Sequence, residues 1–210
     1  MSKLFKFTML QAIDELGKLD SDIKRAIADY GYPNDRMMPP TFETITRIII
    51  GQQISKKVAE ALWKRLEEKQ LTTAQKIYSL NPERLMEAGL SRRKSEYIIG
   101  IAKAITGAKL DLNWLGQQDS KKIQQHLTSY RGIGLWTADN FRLFALQDFD
   151  AFPRGDLALQ EAMKILKGLP ARPNHAEMNN LAQTWSPFRG AGALMLWHLY
   201  AKTTRKGQPV

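Results

Sequence analysis

Residues 127–156 hold the groups best suited to chemistry. Leu127-Thr-Ser-Tyr-Arg-Gly-Ile-Gly-Leu-Trp-Thr-Ala reads as a helix, a turn pinned by Gly132 and Gly134, and a second helix from about Trp136. Phe152-Pro-Arg-Gly-Asp156 then brings one carboxylate to the mouth of a third helix. Both glycines can take positive φ and admit a close neighbour. Backbone N–H groups turned outward there, beside a helix N-terminus, suit an anion such as phosphate. Ile133 would anchor the turn in the core. Gly-Ile-Gly alone also describes a plain helix–helix turn, and the amphipathic helix before it (Ile123, Leu127) favours the anion site. An acid some twenty residues later suggests that something bound at the hairpin is also cut. The alternative is that Asp156 merely caps the helix over 157–167.

The elements that must position these groups are helical. Residues 8–30 form one amphipathic segment (Leu10, Ile13, Leu16, Ile23, Ile27) ended by Gly31-Tyr-Pro33. Thr41 is the expected N-cap of a helix from Phe42 to Ile50, which Gly51-Gln52-Gln53-Ile54-Ser55 interrupts. Ser55 can cap the next helix, Thr72-x-x-Gln75 reads as a capping box, and Asn81-Pro82 as an N-cap with proline at N1. Gly89 is a C′ stop, and Ser91 starts a helix that runs to Gly107. Further helices are expected at about 120–129, 136–147, 156–167, 175–185 and 189–203. Sustained period-two alternation is missing, so the reading is all-α with nine or ten helices. The expected architecture is one two-lobed helical domain with a cleft between the lobes. One lobe takes about 1–40 plus 150–210; the other takes about 41–149, with the hairpin at 130–135.

Composition narrows the partner. Thirty-one Lys and Arg against 21 Asp and Glu leave a net charge of +10. A polyanion fits that balance, nucleic acid ahead of membrane, although a basic protein need not bind either. The chain has no cysteine, which excludes disulfides, thiolate zinc sites and iron–sulfur clusters. Its three scattered histidines (His126, His175, His198) argue against a metal held by side chains. Lysines break the first residues, Met1-Ser-Lys-Leu-Phe-Lys-Phe, too early for a secretory signal, and no apolar run approaches the ~20 residues of a membrane span. An intracellular protein is expected, cytoplasmic in a bacterial cell or nuclear in a eukaryote. The basic tail from Lys202 to Val210 reads as a frayed end.

The hairpin segment resembles the helix–hairpin–helix of the HhH-GPD superfamily of DNA base-excision glycosylases. Phe152-Pro-x-Gly-Asp156 is similar to that superfamily's catalytic loop. Phe42-x-x-x-x-Arg-x-Ile-x-Gly-Gln-Gln-Ile-Ser55 and Gly89-Leu-Ser-x-x-Lys94-x-x-Tyr-Ile match further elements, so the pattern runs in order from about residue 40 to 200. The alkylbase branch, 3-methyladenine DNA glycosylase II, is the nearest likeness. Two departures stand out. Arg131 replaces the usual proline before the first hairpin glycine, adding a positive charge beside the phosphate. The chain also has no room for the N-terminal β domain of some bacterial members.

The resemblance implies roles residue by residue. Related bifunctional enzymes carry a lysine nucleophile where this chain has Trp136; without that amine no Schiff base forms, and strand cleavage is not expected. Asp156 becomes the catalytic carboxylate. It would stabilise positive charge developing on deoxyribose and orient or deprotonate the attacking water, kept ionised by the helix behind it. Pro153 would stiffen the approach and Gly155 leave room for a nucleotide. An alkylated purine is already cationic, so recognition rests on aromatic faces: Trp136 first, Phe188 second, with Asn140 lining the pocket or lying on an exposed helix face. Trp185 and Trp197 are assigned to the core. Gln53 would fill the gap left by the extruded base, or else be a surface turn residue. Gly132, Gly134, Thr137 and Arg131 form the phosphate site. Arg92, Arg93 and Lys94 either neutralise phosphates or form a solvated helix end. No cofactor is required, although the family commonly holds a monovalent cation on hairpin carbonyls. The expected partner is double-stranded DNA with alkylated bases, one monomer to a duplex and no membrane. Two other readings stay open: a non-catalytic DNA-binding module, and a glycosylase for deaminated or oxidised bases.

Overall fold

A computed structural model describes residues 8–204; the lysine-broken N-terminal residues and the tail beyond Thr204 lie outside them. The described residues form thirteen α-helices and no strand. In chain order these are α1 (Met9–Leu19), α2 (Ser21–Tyr30), α3 (Phe42–Gly51), α4 (Lys56–Glu68), α5 (Ala74–Ile77), α6 (Pro82–Met86) and α7 (Arg92–Thr106). They continue with α8 (Leu112–Leu115), α9 (Ser120–Thr128), α10 (Leu135–Leu146), α11 (Leu157–Lys167), α12 (His175–Leu181) and α13 (Arg189–Thr204). The unexpected helices are α8, too short for a hydrophobic period to show, and the second helix into which the segment 8–30 divides. None of the helices is long and apolar enough to cross a membrane. The chain divides into two compact units, 37–147 and the two ends, 1–36 with 148–210.

Local rules explain most boundaries. The hydroxyls of Thr41, Ser55 and Ser91 each accept from a backbone N–H one turn into the following helix, as does the Asn81 side chain ahead of Pro82. The capping box expected at Thr72 is not formed: α5 starts after Thr73, which makes no side-chain cap. The left-handed residue after α7 is Ala108, at φ 53°, while Gly107 stays at φ −86°.

The expected single segment over 8–30 is two helices broken at Asp20. This residue adopts extended backbone between α1 and α2, and its Oδ1 accepts from the N–H groups of Asp22 and Ile23 at 2.9 and 3.2 Å. Its Oδ2 accepts from Lys167 Nζ at 2.7 Å and Trp185 Nε1 at 2.6 Å. The apolar period survives the break, so the sequence pattern hid it; a buried acid with four donors decides otherwise. Desolvation opposes ionisation of Asp20, but these donors win and its pKa is lowered.

In the same unit α13 is buried on nearly all sides, the sign of a central helix. Gly192 is required there because a Cβ would stand 2.4 Å from the Trp185 ring. In the 37–147 unit α10 is the helix surrounded by others, with Thr137 through Ala145 buried. Ile45, Ile49, Leu66, Ile77, Leu85, Ile98, Leu127 and Phe141 form the core around it.

Candidate active site

The hairpin is built on Ile133, which is buried and anchors the turn. Gly132 takes φ +93°, and a Cβ there would meet the Tyr97 ring at 2.1 Å, so both backbone and space demand glycine. Gly134 does not share that conformation: at φ −88° it is the N-cap of α10, with open space where a Cβ would project. No side chain caps α10, so the first-turn N–H groups are presented without a side-chain acceptor. Thr137, one of the expected phosphate ligands, lies in the first turn of α10. It is 2 % exposed and its hydroxyl accepts from Gln52 Nε2 at 2.9 Å, which leaves its main-chain N–H as the group it can offer an anion. Arg131 is exposed, pairs with Glu96 at 3.4 Å and lies over Tyr97.

Gln52 joins two loops. The same amide nitrogen also donates to the Gly132 carbonyl at 2.9 Å, tying the α3–α4 turn to the hairpin. Next to it Gln53 is exposed and held at φ 58°, a left-handed conformation uncommon for a side chain with a Cβ. Lys94 is not a fully solvated helix end. Its Nζ donates to the carbonyls of Ile50 and Gln52, both at 2.7 Å, and finishes the C-terminus of α3. Desolvation lowers its pKa. Arg92 pairs with Glu83. Trp136 is half-buried against the core of this unit. Asn140 does not lie on an exposed face: it is 4 % exposed, and its Nδ2 donates to the Trp136 carbonyl at 2.7 Å.

The other unit carries Asp156. The turn before it closes through Asp156 N–H to Pro153 O at 2.9 Å, with Phe152 buried edge-on to Trp185. Gln160, a buried polar residue that the sequence did not single out, donates to the Arg154 carbonyl and fixes the turn from behind. On one side the space at Gly155 is bounded by His175, 3.4 Å from where a Cβ would sit. Asp156 does cap its helix, Oδ1 accepting from Ala158 and Leu159 N–H at 2.9 and 3.1 Å. Capping and catalysis are compatible, because the carboxylate stays partly exposed while its rotamer is held.

Trp197 is not simply core. It is half-buried and its Nε1 donates to Asp156 Oδ1 at 3.3 Å. Above its ring, 5.8 Å from the centroid, lies the guanidinium of Arg36. Partial desolvation lowers the Arg36 pKa, and the charge of Asp156 acts in the opposite direction. Nothing in sequence spacing could associate residues 36, 156 and 197. Phe188 is half-buried at the head of α13, where Arg189 forks onto Asp150 with Nε at 2.8 Å from Oδ1. Desolvation pushes Asp150 up, but Arg189 and Ser186 outweigh it and the pKa is lowered.

Among the described residues no three His, Asp or Glu side chains are placed to hold a metal. Of the hairpin carbonyls, Gly132 O already accepts from Gln52 and Tyr130 O from the Ile133 N–H. Each retains a second lone pair, and neutral oxygens of this kind suit a weakly held monovalent ion.

Residues 46–187 match the family described as HhH-GPD superfamily base excision DNA repair protein. A DNA-3-methyladenine glycosylase 1 of Schizosaccharomyces pombe is 28 % identical over 198 residues, covering 90 % of this chain and 87 % of that protein. A DNA-3-methyladenine glycosylase of Bacillus subtilis is 28 % identical over 175 residues, 77 % of this chain; the match spans 58 % of the length of that relative. Among solved structures, the S. pombe 3-methyladenine DNA glycosylase Mag1 in complex with abasic DNA superimposes with a TM-score of 0.79 at 27 % identity. That superposition covers 92 % of this chain and 96 % of the other.

Proposed function

The chain belongs to the HhH-GPD superfamily of base excision DNA repair proteins, and we propose that it is a monofunctional DNA glycosylase that extrudes alkylated purines of the 3-methyladenine type from duplex DNA and removes them by hydrolysis. The observation that carries this reading is Asp156, a partly exposed carboxylate whose rotamer is held by two helix N–H groups and an indole. A cationic purine leaves without a general acid. As the N-glycosidic bond lengthens, positive charge grows on the deoxyribose, and a preorganised anion stabilises it without reorganising. Asp156 then orients the water that attacks C1′ and takes its proton, which yields an abasic site.

Trp136 in one unit and Phe188 in the other are the aromatic faces assigned to the electron-poor ring. Asn140 acts through its bond to the Trp136 carbonyl. Gln53 fills the vacated stack from its left-handed position on the turn that Gln52 and Lys94 hold. The hairpin N–H groups of 132–134 and the start of α10 take a backbone phosphate, with Arg131 nearby. A monovalent cation on the hairpin carbonyls would add positive charge beside that phosphate. Trp136 in place of a lysine leaves no amine for Schiff-base chemistry, so strand cleavage is not expected. One monomer serves one duplex, in the compartment that holds the chromosome.

Incubation with methylated DNA, followed by chromatography of the released bases, tests the proposal. The wild type should release 3-methyladenine, and Asp156→Asn should slow release about 10²- to 10³-fold. Wild-type release no faster than that of the variant would refute it, and a preference for uracil or hypoxanthine would overturn the substrate class.

A further inference from the structure

The Arg36–Trp197–Asp156 group contains a cation that the reaction above does not use. Trp197 presents its face to the Arg36 guanidinium and its N–H edge to the Asp156 carboxylate. One indole therefore orders two opposite charges. Arg36 itself is exposed, midway along the segment between α2 and α3.

A deoxyribose cannot reach Asp156 alone, because every nucleotide in a strand brings a phosphodiester on each side of the sugar. Placing those phosphates near a carboxylate sets like charges against each other, at an energy that rises as water is excluded. A fixed guanidinium beside the carboxylate reverses the sign of that interaction for the phosphate while leaving the anion to face the sugar. The planar fork of arginine also suits two phosphate oxygens at once. We propose that Arg36 binds a phosphodiester of the extruded nucleotide, with Trp197 as the platform that holds Arg36 and positions Asp156. The inference rests on the glycosylase reading for its ligand. It adds a DNA contact distinct from the hairpin, specific to a nucleotide that has left the stack.

Anisotropy titrations of the full chain can test it with two duplexes, one undamaged and one carrying a single tetrahydrofuran abasic analogue. Arg36→Gln should weaken the abasic-analogue complex about tenfold and lower the slope of log affinity against log salt by about one. The same variant should change affinity for the undamaged duplex by no more than about twofold. Arg36→Lys should keep the salt slope. Arg25→Gln, which removes a guanidinium already paired with Asp22 at 2.8 Å, should alter neither complex. Equal loss on both duplexes, or an unchanged slope in Arg36→Gln, overturns the proposal. Binding is read without cleavage, so the two failures separate. Absent base release from the wild type would sink the glycosylase reading, whereas unaltered Arg36→Gln binding with intact base release would sink the Arg36 contact alone.

Discussion

At Gln53 stability and function pull in opposite directions. An exposed residue with a Cβ sits at φ 58° although nothing in packing demands a side chain there. Left-handed backbone costs about 1–2 kcal/mol for such a residue, while a glycine in its place would lose about 0.4–1 kcal/mol through a freer unfolded chain. Relief of strain outweighs entropy, so Gln53→Gly should melt at the same or a slightly higher temperature. It should nevertheless release base at least about tenfold more slowly, since the plug that offsets a few kcal/mol of unstacking is gone. A melting curve and a release assay on the same preparation check both signs, and a variant that is less stable and fully active would contradict the assignment.

At the scale of the element, the two hairpin glycines do different work. Gly132→Ala would place a methyl group 2.1 Å from the Tyr97 ring in a backbone region that disfavours it. A loss of at least about 3 kcal/mol is expected, visible in thermal or denaturant unfolding. Gly134→Ala meets no atom within 4 Å and keeps an ordinary φ, so its stability cost should stay below about 1 kcal/mol. Its methyl group points into open space at the head of α10, and DNA affinity should fall instead. If Gly134→Ala destabilised the fold as much as Gly132→Ala, the anion site would be misplaced. The helix–hairpin–helix was legible because glycine spacing and an apolar anchor are local signals. Lys94 as the cap of α3 was not, because its acceptors, Ile50 and Gln52, lie more than forty residues away.

For the molecule as a whole, charge sets both partner and acid tolerance. Residues 37–147, the unit with the hairpin, contain 17 Lys and Arg against 10 Asp and Glu, which is seven of the ten surplus positive charges. In the other unit Asp20 and Lys167 form a largely buried pair, with Asp22 as a second partner for the lysine. The Asp20 pKa is lowered from 3.8, so its contribution is present above that value and is lost as the pH falls below it. Desolvation pulls Lys167 down, but the two aspartates win and raise it, so its contribution is present below the ordinary lysine value and disappears in strong alkali. Stability from this pair is therefore full between about pH 5 and 9. Asp20→Asn should cost about 2–3 kcal/mol at neutral pH, less than for a pair broken completely because Asp22 remains. It should also flatten the decline in melting temperature between about pH 5 and 3, partly, since Asp150 is held low as well. An unchanged acid profile would show that the pair does not set the acid limit.

Composition, period and short motifs determined the all-α class, the hairpin, most N-caps and the carboxylate at Asp156, because each depends on neighbours within about a turn of helix. Tertiary structure alone decided that residues 8–30 break at Asp20, that Thr137 and Asn140 turn inward, that Gln52 ties its turn to the hairpin, and that Trp197 carries Arg36 to the carboxylate. Each of these is a bond or ring contact between residues distant in the chain, or a burial set by what packs above. A one-dimensional pattern holds no distance between such residues; folding supplies it.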